Sequence, residues 1–256
     1  MSSPKKALLF KAISIRTILP SVVTLFAFMA GLTSIKFALS GKWELAVAAI
    51  IAAGIFDGLD GTVARLLKST SRFGAELDSL SDVVAFGVAP AVILYLFILN
   101  DLDRLGWAVA LIYASGMALR LARFNARLDE ESPAKKASSF LTGVPAPMGA
   151  GLILAPMMLE FAYEDGKVLE GQALFVAVYA IIICLLMVST LPTISLKALR
   201  VPREWFIPAL LVFVVVVAGL FVHTWWMLLI IGMAYLAGLP FTYIASKKRE
   251  AQKRRG

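Results

Sequence analysis

The sequence predicts an all-α integral membrane protein, a polytopic bundle of about eight transmembrane helices with an N-terminal amphipathic interfacial helix. Three observations carry this. Hydrophobic residues make up 60% of the 256-residue chain and the mean hydropathy is +0.84, too apolar for a soluble protein of this size. Apolar runs of about 20 residues, the length needed to cross a bilayer, recur from end to end. The basic residues fall on alternate connections, as they do when one side of a membrane receives the positive charge.

At the N-terminus, Leu8, Leu9, Ala12 and Ile13 share one helical face, with Lys5, Lys11 and Arg16 mostly elsewhere. Lys5–Ile18 therefore reads as an amphipathic helix on the membrane surface, the alternative being a disordered basic tail. Lys11 and Arg16 interrupt the apolar stretch and no small-residue cleavage site follows, which argues against a secretory signal. Segment 1–19 is the surface helix, 20–245 a single transmembrane domain, and 246–256 a basic tail.

Eight spans follow within the central domain: Pro20–Leu39, Trp43–Leu67, Phe73–Leu99, Leu105–Leu128, Pro145–Tyr163, Ala173–Leu191, Trp205–Phe221 and Trp225–Ala245. Short connections make consecutive spans antiparallel neighbours. With an even number of spans, 21 of the 25 Lys and Arg share one side, and only Lys36, Lys42, Arg104 and Lys167 face the other. Both termini are thus expected in the cytoplasm, with the chain integral to the cell (inner) membrane. The net charge of +8 matches an anionic membrane surface rather than nucleic acid. Cys184 lies in an apolar run and His223 in a short connection, and each is the sole residue of its type. That excludes a disulfide framework and a cysteine metal cluster, and argues against histidine acid–base catalysis.

Against this background Asp57, Asp60, Asp78 and Asp82 are anomalous. An ionised Asp at the centre of a spanning helix costs roughly 2.5–3.5 kcal/mol on insertion scales, so the four together oppose insertion by about 10–14 kcal/mol. Asp57 and Asp60 lie 13 and 10 residues before Thr70, and Asp78 and Asp82 lie 8 and 12 after it. Antiparallel helices joined near Lys68–Arg72 would bring all four to a similar depth, roughly 12–20 Å from the turn. The faces agree: Asp57, Asp60, Gly61 and Ala64 form one stripe, and Gly74, Asp78 and Asp82 another. Gly54 and Gly58 add a small-residue spacing that permits close backbone approach.

Four oxygen ligands in one place suit hard divalent cations, which commonly bind substrate phosphates as well. A paired-metal site can bridge a pyrophosphate and stabilise a leaving phosphate, and a less committed carboxylate can accept a proton from an attacking hydroxyl. Neutralisation by Arg65 and Arg72 as a structural knot is the alternative, but it supplies few cations at the right depth.

The run Asp57-x2-Asp60-Gly61-x2-Ala64-Arg65-x8-Gly74-x3-Asp78-x3-Asp82 resembles, at all eight positions, the signature of the CDP-alcohol phosphotransferase family. Members move a phosphatidyl or similar group from a CDP-linked donor to an alcohol and release CMP. The resemblance implies that Asp57, Asp60, Asp78 and Asp82 hold Mg2+ or Mn2+, two ions in all. It implies further that Asp82 is the general base and that Gly61, Ala64, Arg65 and Gly74 accommodate the cytidine nucleotide and pyrophosphate.

Three further stretches are similar to the branch of membrane-type bacterial phosphatidylserine synthases. They are the paired run Ser69–Gly74 and Leu77–Asp82, then Arg120-Leu-Ala-Arg123-Phe-Asn125-Ala-Arg127, and Phe140-Leu-Thr-Gly143-Val-Pro145-Ala-Pro147. That resemblance extends over Pro20–Leu159 and implies CDP-diacylglycerol and L-serine as substrates, and a homodimer.

Arg120, Arg123 and Arg127 form a basic stripe that suits a serine carboxylate or a lipid phosphate, although flanking positive charge explains Arg127 as well. Asn125 is a candidate to orient the acceptor or to cap its helix. Another acceptor on the same machinery (glycerol 3-phosphate, choline or inositol) is the alternative, and a divalent-cation transporter using the same carboxylates is the remote one.

Overall fold

The computed structural model describes residues 15–67, 71–130, 143–163, 167–189 and 205–253, with side chains over 18–67, 71–126, 143–163, 167–189 and 205–240. Among these residues the chain is all-helical, with no strand. In order come α1 (Ile15–Leu39), α2 (Trp43–Leu66), α3 (Arg72–Asp82), a π-helical turn (Val83–Val88) and α4 (Ala89–Phe97). A 3-10 turn (Leu99–Leu102) leads to α5 (Asp103–Glu130), α6 (Ala146–Ile153), α7 (Ala155–Ala162), α8 (Ala173–Val188), α9 (Phe206–Val222) and α10 (Thr224–Lys253).

Among the described residues, four rods are long and apolar enough to cross a membrane: Ile18–Leu39, Trp43–Leu66, Arg72–Phe97 and Leu99–Ala126. They correspond to the first four expected spans. Of the later segments, Ala173–Val188 and Phe206–Val222 are shorter apolar helices, and the 30-residue Thr224–Lys253 is apolar over Thr224–Pro240, the part whose side chains are described. Pro145–Tyr163, expected as one span, is two eight-residue helices meeting at Leu154. The expected surface helix lies outside the described residues as far as Ser14, and from Ile15 the chain is already part of α1. The side chains of Arg127, Lys135 and Lys136, and the segment Phe140–Thr142, also lie outside them.

The α1–α2 hairpin turns through Gly41, whose φ of +70° is left-handed. Lys42 N–H donates to Phe37 O and Gly41 N–H to Ala38 O, the paired bonds that close a helix end when glycine follows it. From that hairpin α1 runs along α2 and also lies against α3, the π turn and α4. Close approach is possible because Gly31 faces Ala85: a Cβ on Gly31 would meet Ala85 Cα at 2.7 Å. By contrast, α2 and α3 make few direct backbone contacts, so they are not the closely paired neighbours that chain order suggests. Between them is a gap, which their carboxylates need. Of the two expected approach glycines, Gly54 lies 3.4 Å by its Cβ position from Pro147, whereas Gly58 faces open space.

The core is formed by α2, the π turn, α4, α5, α6 and α8, with Val47, Phe86, Leu94, Met117, Ile153 and Met187 all within it. Prolines in these rods leave carbonyls without the N–H that normally serves them. Pro90 cannot serve Phe86 O, and the hydroxyl of Tyr113, a fully buried side chain, donates to that carbonyl at 3.2 Å. Pro156 cannot serve Leu152 O, and Tyr179 donates there at 2.7 Å. Each tyrosine repairs a break that would be costly in an apolar interior.

At the end of the bundle away from the acidic residues, Trp43, Phe97, Phe161 and Trp225 form a chain of edge-on rings. Successive centroids lie 5.2, 6.1 and 5.0 Å apart. Trp107 packs on Tyr95 and Trp226 on Tyr163 in the same manner, which suits an interfacial aromatic belt. No residue of α9 is buried, so this helix presents its sides outward.

Tyr113→Phe should lower stability by about 1–2 kcal/mol, because it leaves Phe86 O unpaired in the core. A reduced thermal midpoint of the detergent-solubilised protein is the expected result; an unchanged midpoint would remove the repair role.

Candidate active site

Asp57 and Asp60 project from α2, and Asp78 and Asp82 from α3, into the gap between these helices. One ligand oxygen each from Asp57, Asp60 and Asp78 lies within 4.8 Å of the others. Asp82 lies beside Asp57, and Asp60 beside Asp78, each pair close enough for the two carboxyl groups to interact directly. Both pairs are centred in sequence on Ser69 and Thr70, the register expected of antiparallel helices. Asp60 is buried and the other three carboxylates are half-buried.

Local structure fixes these positions. Helix α3 begins at Ser71, whose Oγ accepts from Gly74 N–H at 3.0 Å, a side-chain N-cap. A Cβ at Gly74 would sit 3.1 Å from that oxygen and 3.7 Å from Ser21 Oγ, so glycine keeps both the cap and the cleft open. From α1, Thr24 donates to Asp60 Oδ2 at 2.6 Å, and Ser81 donates to Thr24 O at 3.3 Å. The resulting cleft holds about 150 Å³ and is lined in part by Ser21, Thr24, Asp60, Gly61, Gly74 and Asp78.

Of the expected nucleotide residues, Gly61, Ala64 and Gly74 line this cleft. Arg65 does not: its Nε donates to Gly61 O at 2.8 Å and a terminal nitrogen lies 3.4 Å from Thr62 Oγ1, so the exposed guanidinium lies along its own helix. Arg65 therefore does not neutralise the carboxylates as a structural knot.

The three α5 candidates have different environments. Arg120 is 8% exposed and lies close enough to Asp82 and Tyr235 to interact electrostatically, while its Nε has no hydrogen-bond partner among the described residues. Arg123 donates through one terminal nitrogen to Val188 O, with Ser189 O at 3.4 Å, and so holds the carbonyl end of α8. Asn125 Nδ2 donates to Ser79 Oγ at 2.8 Å, tying α5 to α3 between the two carboxylates of that helix.

Residues of α1 are what the sequence reading missed. Pro20, Ser21 and Thr24 form part of the cleft wall, and the available signal was two hydroxyls on one side of an apolar span. Tyr235, from α10, is a fourth residue it missed, close enough to Arg120 to interact electrostatically.

Carboxylates in mutual contact require a shared proton or a cation between them. Oxygen donors at this spacing, with Arg65 turned away, fit a hard divalent cation. The fourth carboxylate and the open cleft leave room for a phosphate-bearing ligand.

Comparison with known proteins agrees with this geometry. The family model for CDP-alcohol phosphatidyltransferase matches residues 17–198, which include all four carboxylates and the α1 and α5 residues around them. A Mycobacterium tuberculosis protein named CDP-diacylglycerol–serine O-phosphatidyltransferase is 39% identical over 224 residues, covering 88% of this chain and 77% of its own. A Helicobacter pylori protein of the same name is 37% identical over 194 residues, covering 75% and 78% respectively. One from Methanocaldococcus jannaschii is 40% identical over 154 residues, covering 60% and 63%. The four-carboxylate cluster thus sits within a match that spans most of the sequence, and the chain belongs to the CDP-alcohol phosphatidyltransferase family.

Proposed function

We propose that this chain transfers the phosphatidyl group of CDP-diacylglycerol to the hydroxyl of L-serine, giving phosphatidylserine and CMP. The observation that carries this is the gathering of Asp57, Asp60, Asp78 and Asp82 into one cluster, in a chain whose relatives bear that enzyme's name. Asp57, Asp60, Asp78 and Asp82 are the residues that would hold two divalent ions, Mg2+ or Mn2+. Such ions supply neutralisation of the pyrophosphate and of the charge on departing CMP.

The chain's own residues do the rest. Gly61, Ala64 and Gly74 leave space on the cleft wall for the nucleotide, while Arg65, exposed on the same helix, would reach a phosphate only by leaving Gly61 O. Asp82 takes the proton of the serine hydroxyl as that oxygen attacks the lipid-linked phosphorus. A new P–O bond to serine forms, the P–O bond to CMP breaks, and no protein nucleophile is needed. Arg120 offers an unpartnered Nε beside Asp82, placing a cation where the serine carboxylate would sit. Arg123 and Asn125 support the acceptor side by anchoring α5 to α8 and to α3.

Arg120 favours an anionic acceptor over choline or inositol, so glycerol 3-phosphate is the reading that competes with serine. A divalent-cation transporter is disfavoured by the apolar core beyond the cleft, where Val47, Ile50 and Ala53 of α2 are all buried.

The positive charge supports the proposed placement: all eight segments cross the inner membrane, and both termini and the cleft face the cytoplasm. In this reading 1–19 lies on the surface, 20–245 is the catalytic domain, 246–256 is a cytoplasmic tail, and the enzyme is a homodimer.

Purified protein with Mg2+ or Mn2+ should release CMP from CDP-diacylglycerol only when serine is added. Equal turnover with glycerol 3-phosphate or inositol, or turnover without acceptor, would remove the serine assignment. Asp82→Asn should reduce turnover by about 10²–10⁴-fold while CMP binding persists. Arg120→Lys should raise the KM for serine by about tenfold or more with a smaller effect on the KM for CDP-diacylglycerol. Equal changes in both would assign Arg120 to the fold instead.

A further inference from the structure

Thr24 belongs to α1, a helix that carries none of the four carboxylates, yet its hydroxyl donates to one of them at 2.6 Å. Its side chain is 4% exposed, in the wall of the cleft beside Asp60 and Asp78. The single hydroxyl proton has two acceptors within reach, Pro20 O at 3.1 Å and Asp60 Oδ2 at 2.6 Å. A bond to a carboxylate is charge-assisted and stronger than one to a neutral carbonyl, so the proton lies toward Asp60. Ser81 then holds Thr24 from the other side by donating to its carbonyl oxygen. Thr24 thus joins α1 to α2 through its side chain and to α3 through its backbone, at the level of the carboxylates.

We propose that Thr24 is a positioning residue for the metal site, fixing the Asp60 carboxylate by one oxygen so that the other is presented to the cation. The inference rests on the metal-binding reading of the cleft given above. Thr24 does not touch the ion in this arrangement. It sets the orientation of a ligand that would otherwise rotate, and it holds one lone pair of Asp60 away from the cation. Outer partners of this kind commonly contribute 10–100-fold in metal affinity.

The test is Mn2+ binding to the full-length protein in detergent, followed by electron paramagnetic resonance of the free ion with no substrate present. Wild type should bind Mn2+, and Thr24→Ser, which keeps the hydroxyl, should bind within about threefold of it. Thr24→Val, nearly the same shape without the donor, should bind about 10–100-fold more weakly. Thr24→Ala should match Thr24→Val, and the Ala–Ser comparison decides the matter if the valine variant does not fold. Valine and alanine variants that bind Mn2+ like wild type would overturn the positioning role. Wild type that binds no Mn2+ would instead overturn the metal reading of the cleft, a result distinct from the first. Equal weakening in Thr24→Ser and Thr24→Val would assign the effect to packing and also sink the proposal.

Discussion

Negative charge crowded among apolar helices is the constraint that organises this protein. Each of the four carboxylates would choose water over the interior of the bundle, and each would choose distance from the other three. The fold leaves them room to gather by holding α2 and α3 apart and letting α1 bridge them. Small residues at Gly61, Ala64 and Gly74 keep the gap open, and hydroxyls from Thr24 and Ser71 order its edges. Arg120 brings a positive charge from α5 without closing the space by an ion pair. The cleft suits a cation in place of the water that the carboxylates lack.

The scaffold around the cleft answers a related demand, that no backbone polar group be left bare in an apolar interior. Pro90 and Pro156 each interrupt a helical ladder inside the bundle, and Tyr113 and Tyr179 supply the missing donors from neighbouring helices. These bonds also fix helices against each other: Tyr113 ties α5 to the π turn that follows Asp82, and Tyr179 ties α8 to the junction of α6 and α7. Arg123 adds a third such tie at the carbonyl end of α8. The positions of Asp82 and Arg120 therefore depend on contacts several helices away from the chemistry.

Much of this was legible in the sequence because it depends on period and spacing. The carboxylates share faces at i, i+3 and i+4 spacings, so their convergence followed from helical geometry alone. The first four spans were equally clear from the length of their apolar runs. What escaped was whatever depends on three-dimensional neighbours. Thr24 is an unremarkable hydroxyl in an apolar span until α1 is seen to lie against both acidic helices. Arg123 belongs to a basic stripe by spacing, yet its partner is a helix end 65 residues further along. The break at Leu154 was hidden because Pro156 is compatible with either a kinked span or two helices. Hydropathy measures composition and is silent about where a backbone ladder is interrupted.

The π turn at Val83–Val88 lengthens the winding of its rod directly after Asp82. Each added residue swings everything beyond it by about 100° about the helix axis. The polar half carrying Asp78 and Asp82 and the apolar half carrying Ile93 and Leu94 are therefore out of phase, and each can meet its own surroundings. One continuous helix could not set the two azimuths independently. The same rod can hold its acidic side toward the cleft while its other half is dialled to fit the oily core.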